Sequence, residues 1–442
     1  MDLKETARLI FMEAVRAADP SGCVRNMLEV TGKAVRIGTS LYSPDEYPRI
    51  VVIGGGKASA RMGENVEEIL GDRITGGWIN TKDGYGAPLK HIHVHECSHP
   101  VPDERGVEGT RRIVDILSGA DEKTLVLCLL SGGGSALMPA PAEDVTLAEK
   151  QEVTRLLLMA GADIGELNTV RKHLSVLKGG GMARLAFPAR LHVLILSDVI
   201  GDRLDTIASG PAVSDRSTFG DCLDICTRYS IMEKLPAGVR IRFEKGAHGD
   251  IPETAKPGDF FLLNAENTLI GNNRMSVQAA RKTAEALGFH TLLLSTFIQG
   301  EASDTGTFYA SIASEIQVSG NPVEPPACII GGGETTVTVR GNGTGGRNQE
   351  MALSTAAGLA GMKNVAFLSG GTDGTDGPTD AAGGVVDGDT VRAGRTKGFS
   401  VSSFLMNNDS YRYLKETGAL LITGPTGTNV MDIQVLLVGK PG

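Results

Sequence analysis

Three stretches of this sequence put cations beside flexible backbone. In Ile50–Arg61 (IVVIGGGKASAR) an apolar run ends in Gly54, Gly55 and Gly56, and Lys57 follows as a helical pattern begins. Glycines take positive φ and let a ligand approach the backbone. A helix starting there offers unpaired N–H groups and the positive end of its dipole, so the unit attracts an anion, and Lys57 adds a full charge. The same residues also suit a tight structural turn. Gly343–Glu350 (GTGGRNQE) repeats the device, with Arg347 and Asn348 before an apolar helix. Its guanidinium fork matches a carboxylate or phosphate, or pairs with a neighbouring acid. Leu167–Gly181 (LNTVRKHLSVLKGGG) sets Arg171, Lys172 and Lys178 close together. Alone, it reads as a solvated basic helix face.

Carboxylates form the complementary set. Asp198 ends an apolar run in LILSDVIGD and Asp202 follows it; Ser369–Asp380 (SGGTDGTDGPTD) adds Asp373, Asp376 and Asp380. Such acids serve as metal ligands, hydroxyl-proton acceptors or helix caps. At most one or two of them are expected to touch a metal. His91, His93 and His95 alternate on one strand face and read as a polar sheet margin rather than a zinc site. His99, in SHPVPDE, is expected beside Asp103 and Glu104.

Further glycine-rich turns follow apolar runs at Ser131–Ser135, Gly331–Thr335 and Gly424–Thr428. Several strand ends carrying donor-rich turns are what an open α/β sheet presents at its carboxyl edge. The pattern predicts strands at Arg49–Gly54, Gly77–Thr81, His91–Cys97, Thr124–Leu130 and Leu191–Ser197 alternating with helices, hence a mostly parallel sheet covered on both faces. Between Glu233 and Asp259 the pattern fades into a polar Pro- and Gly-rich stretch, placing a linker at about 241–258 between domains 1–240 and 259–442. The second half predicts strands at Phe260–Asn264, His290–Ser295, Cys328–Gly331, Val365–Ser369, Leu420–Thr423 and Ile433–Val438. Thr335–Arg340 (TTVTVR) alternates cleanly and predicts an antiparallel, half-exposed part of a mixed sheet.

With 442 residues the chain has room for two or three cores. The 58 glycines are clustered in turns rather than spread through a low-complexity tract. A net charge of −9 argues against general nucleic-acid or membrane-surface binding, so an anionic substrate needs a local Lys/Arg cluster. No apolar run is long enough to span a membrane, and the six scattered cysteines read as reduced thiols of a cytoplasmic protein. P-loop, protein-kinase, GxSxG and HExxH signatures are absent. Gly54–Ser59 approximates a dinucleotide fingerprint without a strand-terminal acid for the ribose.

In order along the chain, IGGGKAS, SHPVPDE, LSGGGSAL, LNTVRKHLSVLKGG, LSDVIGD, IASGP, GGGETTVTV, GGRNQE, GTDGTDGPTDAAG and TGPTGTNV resemble the glycerate 2-kinase family. Its members pair a Rossmann-like N-terminal domain with a MOFRL C-terminal domain. The resemblance runs from about residue 5 to 440. GGGM after Lys178 and AAGG at 381–384 depart from the usual pattern without removing a charged group. The resemblance implies ATP- and Mg2+-dependent phosphorylation of D-glycerate at the 2-hydroxyl, with the active site in the cleft between the domains. It ties Lys57 and Arg347 to substrate and catalysis, with Asp198 as proton acceptor or metal holder. Around them we place Ser131, Gly132 and Asn348 on the substrate, and Gly54, Gly55, Gly56, Gly133, Ser135, Lys178, Gly332 and Glu334 on the nucleotide. Asp373 joins Asp198 as a metal candidate. A homodimer is compatible with this reading. The rivals are an NAD(P)H-dependent hydroxypyruvate reductase, a label family members have also carried, and a non-catalytic anion- or nucleotide-binding module.

Overall fold

The computed structural model describes residues 2–440. It divides into two compact units: one holds Cys23–Ser197 and Asp202–Ile270, the other the first 22 residues, Asp198–Gly201 and the chain from Gly271 onward. The chain therefore passes between units at Ile270/Gly271, not within 241–258, and the first helix belongs with the C-terminal half.

The first unit is built on six strands, β1 (Arg49–Gly55), β2 (Ile74–Lys82), β3 (His93–Cys97), β4 (Thr124–Leu130), β5 (Arg190–Leu196) and β6 (Ala265–Gly271). Their spatial order is β3-β2-β1-β4-β5-β6, and the pairs from β3 to β5 are parallel. This doubly wound order reverses between β1 and β4, and ligands of such sheets bind outside the carboxyl ends at that reversal. Every residue of β4 is buried, as its unbroken TLVLCLL run demands of a strand covered on both faces. The helix Ala237–His248 lies in the stretch expected to be a linker. Its Val239 and Phe243 keep a helical spacing and join Phe219 in a core cluster; Pro236 and Gly249 end the helix rather than break it.

The second unit carries β7 (His290–Ile298), β8 (Ala327–Gly333), β9 (Val365–Gly371), β10 (Gly383–Asp387), β11 (Leu420–Leu421) and β12 (Asp432–Val438), in the order β7-β8-β12-β9-β10-β11. β7 and β8 run parallel; the pairings from β8 through β12, β9, β10 and β11 are antiparallel. The sheet is thus mixed, as expected, though not through Thr335–Arg340. There Thr336 makes a single backbone bridge with Glu301, after which the Thr338 N–H donates to the Glu301 carboxylate and the Arg340 N–H to the Asn408 side chain, so side chains take over where a ladder would continue. Phe260–Asn264 is likewise a 3-10 turn with Leu263 largely exposed, and the strand begins at Ala265. Phe11, Ile10, Ala14 and Ala7 of the helix Leu3–Ala17 bury one apolar stripe with Val277 and Ala280 against Ile330, Leu368 and Val435. A second core, around Tyr309, Met351 and Phe367, includes residues of the helices Ala302–Ser319 and Arg347–Leu359.

Candidate active-site residues

In the first unit, β1 and β4 end side by side and their glycine turns are stitched together. The Lys57 N–H donates to the Gly132 carbonyl (2.9 Å), the Ala58 N–H to Ser131 Oγ (2.9 Å) and the Gly56 N–H to the Asn80 carbonyl (3.2 Å). Ser131 Oγ also lies 3.1 Å from Ser59 Oγ. Gly56 has φ 149°, and a Cβ there would sit 2.1 Å from Ser131 Oγ, so glycine is required for close approach of the two turns. The N–H groups of Gly56, Lys57 and Ala58 are thus paired with protein acceptors. What the turn presents is the half-buried Lys57 side chain, for which no described carboxylate is a partner.

His99 packs beside Gly133, whose Cβ, if present, would lie 2.8 Å from His99 Nε2. Burial, together with the positive charges of Lys57 and Lys82, pushes its pKa down to about 4, so the imidazole is neutral at physiological pH. The expected acidic neighbours act elsewhere: Asp103 caps the helix Glu104–Ser118 and pairs with Arg105. Asp83, just past β2, receives two Arg105 guanidinium bonds of 2.7 and 2.9 Å. The other histidines behave as a sheet margin. His93 stacks on Trp78 with centroids 4.1 Å apart, and His95 Nε2 meets the Arg105 carbonyl.

Lys178 is not on a solvated face. It is buried, and its ammonium donates to the Ser135 carbonyl (2.8 Å) and Ser135 Oγ (2.9 Å). Lys172 is also buried, in an ion pair with Asp215 at 3.1 Å. The helix Ile164–His173 ends before Lys178, so Lys172 sits on the buried side of the helix and Lys178 in the turn beyond it.

In the second unit Arg347 opens the helix Arg347–Leu359 and is already paired. Nε and Nη2 donate to the two oxygens of Asp432 (2.5 and 2.9 Å), while Nη1 lies 2.9 Å from Glu334 Oε1. Burial opposes the guanidinium charge, but Asp432, Glu334 and Asp376 outweigh it and hold the pKa above the ordinary value. Asp432 is fully buried, and burial pushes its carboxyl pKa up despite Arg347. Asp376 caps the same helix, accepting from the Asn348 N–H (3.2 Å) and the Gln349 N–H (2.9 Å). Burial raises its pKa to about 6. Asn348 is itself buried, accepting from Ser369 Oγ at 2.6 Å. Gly332 lies against Asn273, leaving no space for a Cβ. Asp198 accepts from Asn429 Nδ2 at 3.4 Å. Asp373 is engaged in its own turn with the Thr375 N–H and hydroxyl. Among the described residues no cluster of three acids, histidines or cysteines could hold a metal.

Residues 6–244 match a family model described as a domain of unknown function (DUF4147), and residues 327–432 match the MOFRL family. A glycerate 2-kinase of Pyrococcus horikoshii is 43% identical over 99% of this chain and 98% of its own length. A D-glycerate 2-kinase of Thermotoga maritima is 46% identical over 88% of this chain and 91% of its own. This chain belongs to the glycerate 2-kinase family. A crystal structure of the Thermotoga maritima glycerate kinase superimposes with a TM-score of 0.89 at 42% identity, covering 99% of both chains.

Within this glycerate 2-kinase-type chain, the first unit brings Lys57, Ser131, Gly132 and Gly133 together, and Ser135 meets Lys178. The second unit brings Arg347, Asn348 and Glu334 together. Asp432 and Asp376 were not singled out as Arg347's supports. The signal was present in MDIQV, an acid opening an apolar strand, but nothing local pairs it with a residue 85 positions away.

Proposed function

We propose that the protein transfers the terminal phosphoryl group of ATP to the 2-hydroxyl of D-glycerate, giving 2-phosphoglycerate and ADP. The observation that carries this reading is the near full-length relation to a glycerate 2-kinase, together with the D-glycerate 2-kinase relative. The local chemistry supports it. Phosphoryl transfer needs positioning and charge neutralisation more than covalent help. Lys57, without a carboxylate partner beside a neutral imidazole, supplies a cation at the sheet's reversal point. Arg347 is oriented by Asp432 and Glu334, and its charge serves the glycerate carboxylate or the moving phosphoryl oxygens. Asp198 accepts the hydroxyl proton or holds the metal.

Magnesium fits this chain only as an ion carried largely by phosphate oxygens, because the described residues offer no three-ligand cage. One or two carboxylates, Asp198 or Asp373, complete such a site. When bound, the ion offsets charge on the phosphate oxygens. The engagement of the acid after β2 weighs against the reductase rival. Lys82 ends β2, and the next residue, Asp83, is occupied by Arg105. The test incubates the protein with ATP, magnesium and D-glycerate, and separately with NADH and hydroxypyruvate. ADP formed only with glycerate supports the proposal; cofactor oxidation supports the rival; nucleotide binding without turnover supports a binding module.

A further inference from the structure

His99 differs from the other buried and half-buried histidines of the first unit, all of which have partners. His91 Nε2 lies 3.3 Å from Asp72, and His95 Nε2 meets the Arg105 carbonyl at 2.9 Å. His173 is engaged by the Thr169 carbonyl and Glu253, and His192 by Tyr42 and Thr268. Among the described residues none hydrogen-bonds or ion-pairs with the His99 imidazole, which is half-buried. Taking a polar ring out of water costs free energy unless it finds a hydrogen-bond partner. His99 is thus suited to a partner that the folded chain does not itself supply.

The ring is held at the sheet's reversal point. His99 follows β3 by two residues, and its Nε2 and Cδ2 lie 2.8 and 2.9 Å from the position a Gly133 Cβ would take. Gly133 has φ 84°, so the turn needs glycine both for its backbone and for the ring packed on it. The neighbouring Gly132 carbonyl accepts from the Lys57 N–H at 2.9 Å. His99 and Lys57 therefore rest on consecutive residues of one turn. The loop carrying the ring is tied on both sides. The Ser98 N–H donates to Asp103 Oδ1 (3.4 Å), and Gln151 Nε2 donates to the Pro102 carbonyl (2.8 Å). The charges acting on the ring are those of Lys57 and of Lys82 at the end of β2, while Asp103 and Asp83 are engaged by Arg105. With burial, the two lysines keep the imidazole neutral, so one ring nitrogen has a free lone pair at physiological pH.

We propose that His99 is a further catalytic residue, whose Nε2 accepts the hydrogen bond of the attacking glycerate hydroxyl and takes its proton during phosphoryl transfer. This role rests on the kinase reading. Lys57 draws the anionic end of the acceptor to the turn, and the hydroxyl is the group left for the imidazole. The hydroxyl oxygen bonds to the terminal phosphorus of ATP. The bond from that phosphorus to the ADP oxygen breaks, with its electron pair staying on ADP, and the hydroxyl proton passes to Nε2 and then to solvent. A weakly basic imidazole suffices, because in a loose transition state the hydroxyl becomes acidic only as its bond to phosphorus forms. A neutral acceptor also adds no negative charge beside the phosphoryl oxygens, as a carboxylate would. Asp198 is then left to hold the metal.

The test compares wild type with His99→Ala and His99→Gln in steady-state kinetics with ATP, magnesium and D-glycerate, with a melting curve for each. Both variants should lose about 10²–10⁴-fold in kcat, the range for a removed general base, and melt close to wild type. Glutamine puts an amide where Nε2 stands and keeps a hydrogen bond without taking a proton, so His99→Gln should hold KM for glycerate near wild type. A His99→Gln protein with unchanged kcat, or losses confined to KM in both variants, overturns the proposal. So does a loss of kcat accompanied in both variants by a melt well below wild type, which would mean a purely structural ring. Histidine NMR gives a readout without turnover. In Lys57→Met the His99 ring should titrate above its wild-type value of about 4, since one of the two cations beside it is gone. An unchanged titration would show that ring and ammonium share no site, and would overturn the step. Wild type that forms no phosphorylated glycerate would refute the kinase reading and this step with it. Wild type that turns over beside a His99→Gln variant of unchanged kcat would overturn the role of His99 alone.

Discussion

Replacing Arg347 with Ala has a structural consequence that a free catalytic arginine would not have. Asp432 is 0% exposed and receives two guanidinium bonds from Arg347, whose own side chain is 33% exposed. Removing one partner of a buried pair leaves an uncompensated charge and costs about 3–5 kcal/mol. Partial exposure of Arg347 favours the lower end, and the Glu334 contact, 43% exposed, adds about 0–1 kcal/mol. In a domain of 150–250 residues each kcal/mol moves Tm by about 2–4 °C, so Arg347→Ala should melt about 6–15 °C below wild type. The sign of the pH dependence follows. Burial already raises the Asp432 pKa, and without Arg347 it rises further, so the folded variant binds a proton that the unfolded chain releases. The stability deficit should therefore grow as pH rises from about 4 to 7 and shrink on acidification. Arg347→Ala with Asp432→Asn should recover much of the Tm, since a neutral amide replaces the stranded charge, while activity stays low. Scanning calorimetry across pH reads all of this. A single variant melting within about 2 °C of wild type at pH 7 would refute the buried-pair reasoning.

Lys57 makes no such pair, so Lys57→Met should leave Tm nearly unchanged and lower kcat by about 10²–10³-fold if it acts on developing charge. A raised KM with kcat kept would instead mean ground-state carboxylate binding. Gly56→Ala should lower both stability and activity, because its Cβ would displace Ser131 Oγ from between the two turns; a melt and a kcat/KM measurement check this. Asp376, raised to about 6, should make folding stability fall as pH rises from about 4 to 6, by about 3 kcal/mol at most. Asp376→Asn should flatten that segment of a denaturation series. Excess chelator should abolish turnover, and full activity in its presence would remove magnesium from the account.

Much of the fold could be read from periodicity. The runs at Thr124–Leu130, Leu147–Ala160 and Arg347–Leu359 have the observed bounds because each carries a strong period or an unbroken apolar run between clear end signals. Reading failed where local pattern and long-range bonding disagree. TTVTVR alternates as a strand should, but Glu301 and Asn408 take its N–H groups. The helix Ala237–His248 was hidden by the Pro and Gly that bound it, and β10 (Gly383–Asp387) was missed because two of its five residues are glycines. At the candidate site, residue types near glycines were legible. Their partners were not, since Asp432 on Arg347 and Ser135 on Lys178 come together only through the fold.

The central claim is the reaction itself, and phosphorus NMR of the product formed from ATP, magnesium and D-glycerate tests it most directly. The account predicts a single new monoester resonance matching authentic 2-phosphoglycerate, with ADP formed in equal amount. A resonance matching 3-phosphoglycerate, or no phosphorylated product from a folded protein, would contradict it.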